Sequence, residues 1–236
     1  MKVNKIILLI FTIISPVILF AKLPYNYNYG ITDNKKSIST IYITVDLCPS
    51  SKSDYSKELF KEFIKLSKSR SQTIPIGVSV SGLWILSHQE ALKEIQKIEK
   101  DGFIKITWIN HGYTHYYNPN LEYGDNFLLH NQSEAEKDIK KNNDLMVKYK
   151  LTPSNFIRFP GLISNKYLEN LFEKNGYKIL GASAWLAKTN GKFKGGDIIL
   201  VHGNKNEEYG VKLFINNVKN GNFNNYKFGS LEDFNK

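Results

Sequence analysis

The sequence contains a single cysteine, Cys48, so no disulfide can form within the chain. No segment recurs with a period of about 20–50 residues, which excludes solenoids and propellers. Disorder is also excluded, because hydrophobic residues make up 42% and charged residues 23% of the 236 residues, as in an ordinary globular protein.

The longest apolar run, Ile6–Phe20, is too short to cross a membrane easily. As a helix its fifteen residues rise about 22 Å, whereas the hydrocarbon core of a bilayer is about 30 Å thick. Because Lys2 and Lys5 precede the run and Ala21 follows it, residues 1–21 indicate a cleaved signal peptide. An uncleaved anchor is the alternative. We expect a secreted or periplasmic protein with no stable membrane span after cleavage.

The formal net charge is +10, but the lysines are spread along the whole chain as on an ordinary solvated surface. A secreted protein rarely meets nucleic acid, so we expect no nucleic-acid partner. An anionic polysaccharide or a membrane surface would suit the excess positive charge better.

From residue 40 onward, short β-branched apolar runs alternate with segments of helical period. The alternation predicts an α/β fold in which helices cover a parallel sheet, either open or closed into a barrel. No linker interrupts residues 40–236, so we predict one domain preceded by an irregular N-terminal arm over residues 22–39. Strands are predicted at 40–45, 74–80, 103–109, 156–159, 177–182 and 197–201.

Two Ser-x-x-Glu patterns, at Ser87/Glu90 and Ser133/Glu136, predict capping boxes at the starts of two helices.

Several polar residues follow the predicted strands, where the sites of parallel α/β proteins gather. Asp46 ends the first strand, His111 follows the strand at 103–109, and His202 ends the strand at 197–201. A buried Asp46 would need a cationic partner. A strand-end cap for Asp46 and a hydrogen-bonded core histidine for His202 are the structural alternatives.

His111 and His115 are four residues apart, a spacing that predicts two imidazoles on one face of a helical turn. That geometry suits two ligands of a metal ion. A metal with one position left open binds a water there and lowers the pKa of that water to about 7. Two polar loop histidines without a metal are the alternative. The remaining histidines, His88 and His130, lie in polar segments that we expect at the surface.

Four motifs, in chain order, resemble the polysaccharide deacetylases of the NodB-homology type. The resemblance covers roughly residues 40–234, and it implies a single distorted (β/α) barrel that ends in a strand and a helix. It also implies a metal-dependent hydrolase that acts on a non-peptide C–N bond and removes N-acetyl, or O-acetyl, groups from a cell-envelope or other polysaccharide or oligosaccharide. The motifs are Ile43–Asp46, Asn110–His115, Ile157–Gly161 and Gly196–His202.

The resemblance implies a role for each polar residue of these motifs. His111 and His115 would bind a divalent metal, zinc or alternatively cobalt, nickel or iron. Asp46 would be the catalytic base and His202 the general acid, while Arg158 would orient the base.

Substrate contacts are implied as well. The backbone N–H of Gly161 would help to hold the oxyanion of the tetrahedral intermediate. Trp185 and Leu200 would line the pocket for the acetyl methyl group.

The chain departs from the family pattern at the metal site. The family has two consecutive aspartates after the first strand, the second of them a metal ligand, and here that position is Leu47. Asp46 itself, Cys48 or Asp54 would have to take its place. A thiolate suits zinc, although a small buried hydrophobe is the alternative for Cys48.

The segment before Trp185 also lacks the aspartates that the family has there, one of which pairs with the motif arginine. Arg158 therefore needs another partner.

Three functions remain open at this stage: a metal-dependent carbohydrate deacetylase, a catalytically silent glycan-binding protein on the same scaffold, and a metal hydrolase of a non-sugar amide. Aromatic residues in the loop 116–132 suit sugar stacking and equally suit anchoring of the loop. They are Tyr116, Tyr117, Tyr123 and Phe127.

Overall fold

The computed structural model describes residues 25–49 and 55–235. The predicted signal segment 1–21 and Asp54 lie outside the described residues. Among the helices in these two ranges, none is both long enough and apolar enough to cross a membrane.

A parallel sheet of eight strands forms the centre of the described part of the chain. A short antiparallel pair lies apart from it. In chain order the strands are β1 (Asn26–Tyr27), β2 (Thr40–Leu47), β3 (Ile74–Val80), β4 (Ile104–Asn110), β5 (Pro153–Ile157), β6 (Ile163–Ser164), β7 (Lys178–Ile179), β8 (Ala184–Trp185), β9 (Ile198–His202) and β10 (Lys227–Phe228). Strands β1 and β6 form the separate pair. The main sheet has the order β7-β5-β4-β3-β2-β9-β8, with β10 beside β2.

Amphipathic helices pack on the outer face of the sheet. They are α1 (Lys57–Arg70), α2 (Gly82–Ser87), α3 (Gln89–Lys100), α4 (Ala135–Lys148), α5 (Lys166–Lys174) and α6 (Glu208–Lys219). Alternate β2 residues such as Ile43 and Val45 pack with Phe60 and Phe63 of α1 and Phe214 of α6 in the largest hydrophobic cluster. Since successive strand residues point to opposite faces, the residues between them face the inside of the curled sheet.

The sheet curls into a half-barrel with helices outside, which confirms the predicted distorted (β/α) barrel. The N-terminal segment forms backbone hydrogen bonds near both edges of the curled sheet. Ile31 N–H donates to the carbonyl of Ile179 at the end of β7, at 2.8 Å, and the carbonyl of Thr32 accepts from Ile198 of β9, at 3.1 Å. After β10, the chain ends in a 3₁₀ helix at Leu231–Asn235.

The two predicted capping boxes are wrong. Ser87 closes α2, where its hydroxyl donates to the carbonyl of Leu83 at 2.7 Å, and α3 begins at Gln89 without a side-chain cap. Ser133 lies in a 3₁₀ turn and donates to Asn131 at 2.9 Å. Both serines belong to the turn before the helix. Their hydroxyls bind acceptors in that turn and do not cap the helix.

His88 was expected at the surface, and this is also wrong. Its ring is buried and stacks on that of Trp84, with 5.1 Å between the centroids.

Candidate active site

The carboxyl ends of β2, β4 and β9 open into a cavity of about 840 Å³. The sheet register places Asp46 directly beside His202. Seven of the eight predicted site residues line this cavity: Asp46, His111, His115, Gly161, Trp185, Leu200 and His202. The eighth, Arg158, lies behind Asp46.

Asp46 pairs with Arg158, so the partner of the motif arginine is the predicted base itself. Nη1 of the fully buried Arg158 donates to Asp46 Oδ1 at 2.7 Å and to Thr44 Oγ1 at 2.9 Å. Nη2 donates to the carbonyl of Gly181 at 2.9 Å. Burial alone would raise the pKa of Asp46, but the charge of Arg158 and its hydrogen bond hold that pKa below its ordinary value. Asp46 is therefore a carboxylate.

His111 and His115 lie in an irregular loop after β4 and not on a helical turn, so that part of the prediction is wrong. Gly112, at φ 76°, and His115, at φ 44°, bend the chain instead. The bend brings the two rings together, with 4.8 Å between their centroids. Glycine adopts such a φ without steric cost, whereas a histidine at this φ needs support from its surroundings.

The support comes from Asp138 on α4, which sequence reasoning missed. Its carboxylate accepts the backbone N–H of Tyr113 at 2.6 Å and that of Thr114 at 3.0 Å. It also accepts the hydroxyl of Thr114 at 2.8 Å. Three donors from one loop on one carboxylate fix the bend that carries His115.

Hydrogen bonding fixes the tautomer of His111. Its Nδ1 lies 2.9 Å from the carbonyl oxygen of Arg158. A carbonyl can only accept, so Nδ1 carries the proton and Nε2 keeps its lone pair. Burial lowers the pKa of His111 and that of His115, and the mutual repulsion of their charges lowers the latter further, so both rings are neutral.

The residues present fit a metal ion. The candidate ligand atoms of Cys48, His111 and His115 all lie within 4.8 Å of one another, the one such group in the described parts of the chain. Nε2 of His115 is buried and has no hydrogen-bond partner. A sulfur with two imidazoles is a donor set typical of zinc. Leu47 is 0% exposed, because it packs in the hydrophobic cluster under α1.

His202 is held by Glu207, a second residue that sequence reasoning missed. Glu207 Oε2 lies 3.1 Å from His202 Nδ1 and accepts the indole N–H of Trp185 at 2.7 Å. Burial would raise the pKa of Glu207, but the hydrogen bond and charge of His202 hold that pKa below its ordinary value. An acidic residue five positions after the strand-end histidine is the one signal that the sequence offered.

Aromatic side chains form the rim of the cavity, and Tyr116, Tyr117, Tyr123 and Phe127 all line it. Gly161 lies against this rim at φ 65°, where an added Cβ would be 2.3 Å from the ring of Phe127. The hydroxyl of Tyr123 donates to the carbonyl of Gly161 at 2.9 Å. A side chain at position 161 would therefore be strained at this φ and would crowd the ring of Phe127.

Comparison with known proteins gives a consistent match. Residues 33–180 match the family model described as polysaccharide deacetylase. PdaA of Bacillus subtilis, a family 4 carbohydrate esterase, is 17% identical with a TM-score of 0.60, over 88% of this chain and 84% of that one. The chitin deacetylase of the fungal pathogen Colletotrichum lindemuthianum is 12% identical with a TM-score of 0.58, over 88% and 92%. A CE4 family pseudoenzyme of Bacillus anthracis is 14% identical with a TM-score of 0.54, over 83% and 64%.

Proposed function

Because the chain belongs to the polysaccharide deacetylase family, we propose that it is a secreted or periplasmic, metal-dependent hydrolase that removes N-acetyl or O-acetyl groups from a polysaccharide or oligosaccharide. One observation carries the proposal. A carboxylate, two neutral imidazoles and a carboxylate-paired histidine line the same cavity. The signal-like pattern of residues 1–21 supports export, and export to a glycan-rich compartment favours a sugar substrate over another amide.

His111 and His115 would hold the metal through ring nitrogens, together with a third side chain at the end of β2. A bound divalent ion supplies a Lewis acid for the acetyl carbonyl and lowers the pKa of water to about 7. Zinc fits the donors best, and cobalt, nickel or iron would also accept imidazole ligands.

Asp46 would act as the base. Its Oδ1 is held by Arg158, whereas its Oδ2 is 3.8 Å from His111 Nε2 and faces the same space as the imidazoles. With its pKa held low, Asp46 is ionised and can accept a proton from the attacking water at Oδ2. Arg158 keeps the carboxylate in that orientation.

His202, which lies beside Asp46 in the sheet, would act as the acid. Because Glu207 binds Nδ1, the nitrogen left for the substrate is Nε2. A protonated His202 can then donate from Nε2 to the leaving amine, or to the leaving alkoxide of an O-acetyl group. The negative charge of Glu207 stabilises the imidazolium that gives up this proton.

The remaining predicted residues, which line the same cavity, would contact the acetyl group. Leu200 and Trp185 offer apolar surface for the methyl group, and Gly161, which also lines the cavity, would donate its backbone N–H. Such a donor stabilises the oxyanion of the tetrahedral intermediate more than it stabilises the ground-state carbonyl.

Acetate release tests the proposal. The mature chain, loaded with zinc or cobalt, would be incubated with N-acetylglucosamine oligomers, peptidoglycan and acetylated xylan. We expect release that stops with a chelator, returns with metal, and is absent in the His111→Ala/His115→Ala variant. No release from any of these substrates by the metal-loaded chain would contradict the proposal.

A catalytically silent glycan-binding protein is the second candidate. The observation that favours it is Leu47, a core residue at the position where the family has an acidic ligand. The aromatic rim of the cavity suits stacking on sugar rings. Such a protein would keep its glycan affinity in the presence of a chelator and would release no acetate.

A further inference from the structure

We propose that the thiolate of Cys48 is the third protein ligand of the metal, so that Asp46 remains free to act as the base. The inference rests on the proposed function and deepens it, since it names the ligand that replaces the missing aspartate. It also removes a conflict, because one carboxylate cannot easily be both ligand and base in the same step.

Strand alternation places Cys48 on the catalytic face. Thr44 and Asp46 both accept hydrogen bonds from Arg158 inside the curled sheet. Leu47 points the other way, into the cluster under the helices, and is 0% exposed. Because side chains alternate along β2, the next residue to face inward after Asp46 is Cys48. Cys48 accordingly lines the cavity beside the histidines.

The distance between Cys48 and His111 suits two ligands of one metal ion. Cys48 Sγ lies within hydrogen-bond distance, 3.5 Å, of His111 Nε2, the nitrogen that carries the lone pair. With metal–sulfur and metal–nitrogen bonds of about 2.3 and 2.0 Å, the edge of a tetrahedral zinc site is also about 3.5 Å. The backbone carbonyl of Cys48 is held by the side-chain amide of Asn204 at 3.0 Å, which fixes the end of β2.

A second, independent observation points to the same space. Nε2 of His115 is buried and has no hydrogen-bond partner. A buried polar atom without a partner is costly unless a ligand completes it. His115 belongs to the group whose ligand atoms lie within 4.8 Å of one another, and Asp46 does not.

Binding of the metal to Cys48 would release one proton from its thiol. The S–H bond of Cys48 breaks, its electron pair forms the metal–sulfur bond, and the proton leaves to solvent. A thiolate is a soft donor, so the site should prefer zinc or cobalt to magnesium or manganese.

Cobalt spectroscopy tests the inference with a readout other than activity. The full mature chain would be loaded with Co²⁺, and its absorption compared with that of Cys48→Ser and Cys48→Asp. We expect one cobalt per chain and a thiolate-to-cobalt charge-transfer band in the near ultraviolet. The band should be absent from both variants, while Cys48→Asp keeps the cobalt through a carboxylate.

Zinc X-ray absorption of the unaltered chain keeps the inference testable if the variants fail to fold. A sulfur neighbour at about 2.3 Å from zinc would support it. A stoichiometric metal with only nitrogen and oxygen neighbours and no charge-transfer band would overturn it. In that case continued metal-dependent acetate release would leave the proposed function standing. A chain that binds neither metal would overturn both.

Discussion

The two sides of the cavity are held in different ways. We define the metal side as Asp46, Cys48, His111 and His115, and the acid side as Trp185, His202 and Glu207. On the metal side, the side chains of His111 and Asp46 are 2% and 3% exposed. On the acid side, those of His202 and Glu207 are 15% and 25% exposed. Residues 33–180, which match the family model, include the metal side and end before the acid side.

The difference shows how burial fixes a site. A buried charge is costly unless it is paired and hydrogen-bonded, so the metal side is surrounded by partners from several elements. Arg158 holds Asp46 from β5's end, and Asp138 holds the histidine loop from α4. The acid side depends on one carboxylate in the loop before α6. We therefore expect changes on the metal side to cost more than changes on the acid side.

The largest effect is expected for Asp46→Asn. Loss of the base should lower kcat for acetate release by about 10²–10⁴-fold. The metal content should stay at one per chain, because Asp46 is not a ligand in this account. Thermal unfolding serves as the control, since breaking a buried ion pair typically costs about 3–5 kcal/mol. Activity near that of the unaltered chain would remove Asp46 from the mechanism.

A smaller effect is expected for Asp138→Asn. The variant weakens the contacts that bend the histidine loop, and loss of such outer contacts typically lowers metal affinity about 10–100-fold. Competition with a chelator would measure this. Asp144→Asn is the matched control, because Asp144 lies on the same helix but pairs with Lys140 in an exposed ion pair. Equal affinities for the two variants would show that Asp138 does not position the ligands.

For Glu207→Gln we expect kcat to fall about 10-fold, below the about 10²–10⁴-fold typical of losing an acid or base itself. The amide can still bond to His202, but it no longer stabilises the imidazolium. The metal affinity should not change, which separates the two sides of the cavity. Glu208→Gln, the neighbouring exposed position, is the control. A fall in metal affinity instead of kcat would contradict the assignment of Glu207 to the acid.

The smallest effect concerns stability against pH. The pKa of Glu207 is lower in the folded protein than its ordinary value of 4.5. A carboxylate whose pKa is lowered by folding stabilises the folded protein at any pH above its pKa in the unfolded chain. This stabilisation is lost as the pH falls through its pKa in the folded protein. In urea unfolding at pH 7, the free energy of unfolding of Glu207→Gln should thus be lower than that of the unaltered chain by up to about 1 kcal/mol. The gap should close at acid pH, and a gap that widens there would be inconsistent with this pairing.

The sequence predicts positions along strands better than contacts between them. Asp46, His111 and His202 were predicted together because the carboxyl ends of parallel strands meet at one edge. The Arg158–Asp46 pair joins residues 112 positions apart and depends on how the sheet curls. Asp138 also acts through a tertiary contact, whereas Glu207 lies only five residues after His202 and its spacing is the one signal in the sequence.

Cys48 is a different case, because the alternation of side chains along a strand predicts that it lies on the same face as Asp46. Thr44, Asp46 and Cys48 are alternate residues and lie on the same face of the sheet. Leu47 lies on the opposite face. The sequence alone left Asp46, Cys48 and Asp54 as candidates to replace the acidic ligand missing at position 47. The helical turn predicted for His111 and His115 was wrong because Gly112 favours a bend that the spacing does not reveal.

Metal stoichiometry tests the central claim most directly, since it requires no choice of substrate. The purified protein would be supplied with zinc or cobalt and its bound metal counted by native mass spectrometry, beside the His111→Ala/His115→Ala variant. The account predicts one metal ion per chain, lost in the variant. A chain that binds neither metal would contradict it and favour the alternative of a catalytically silent glycan-binding protein.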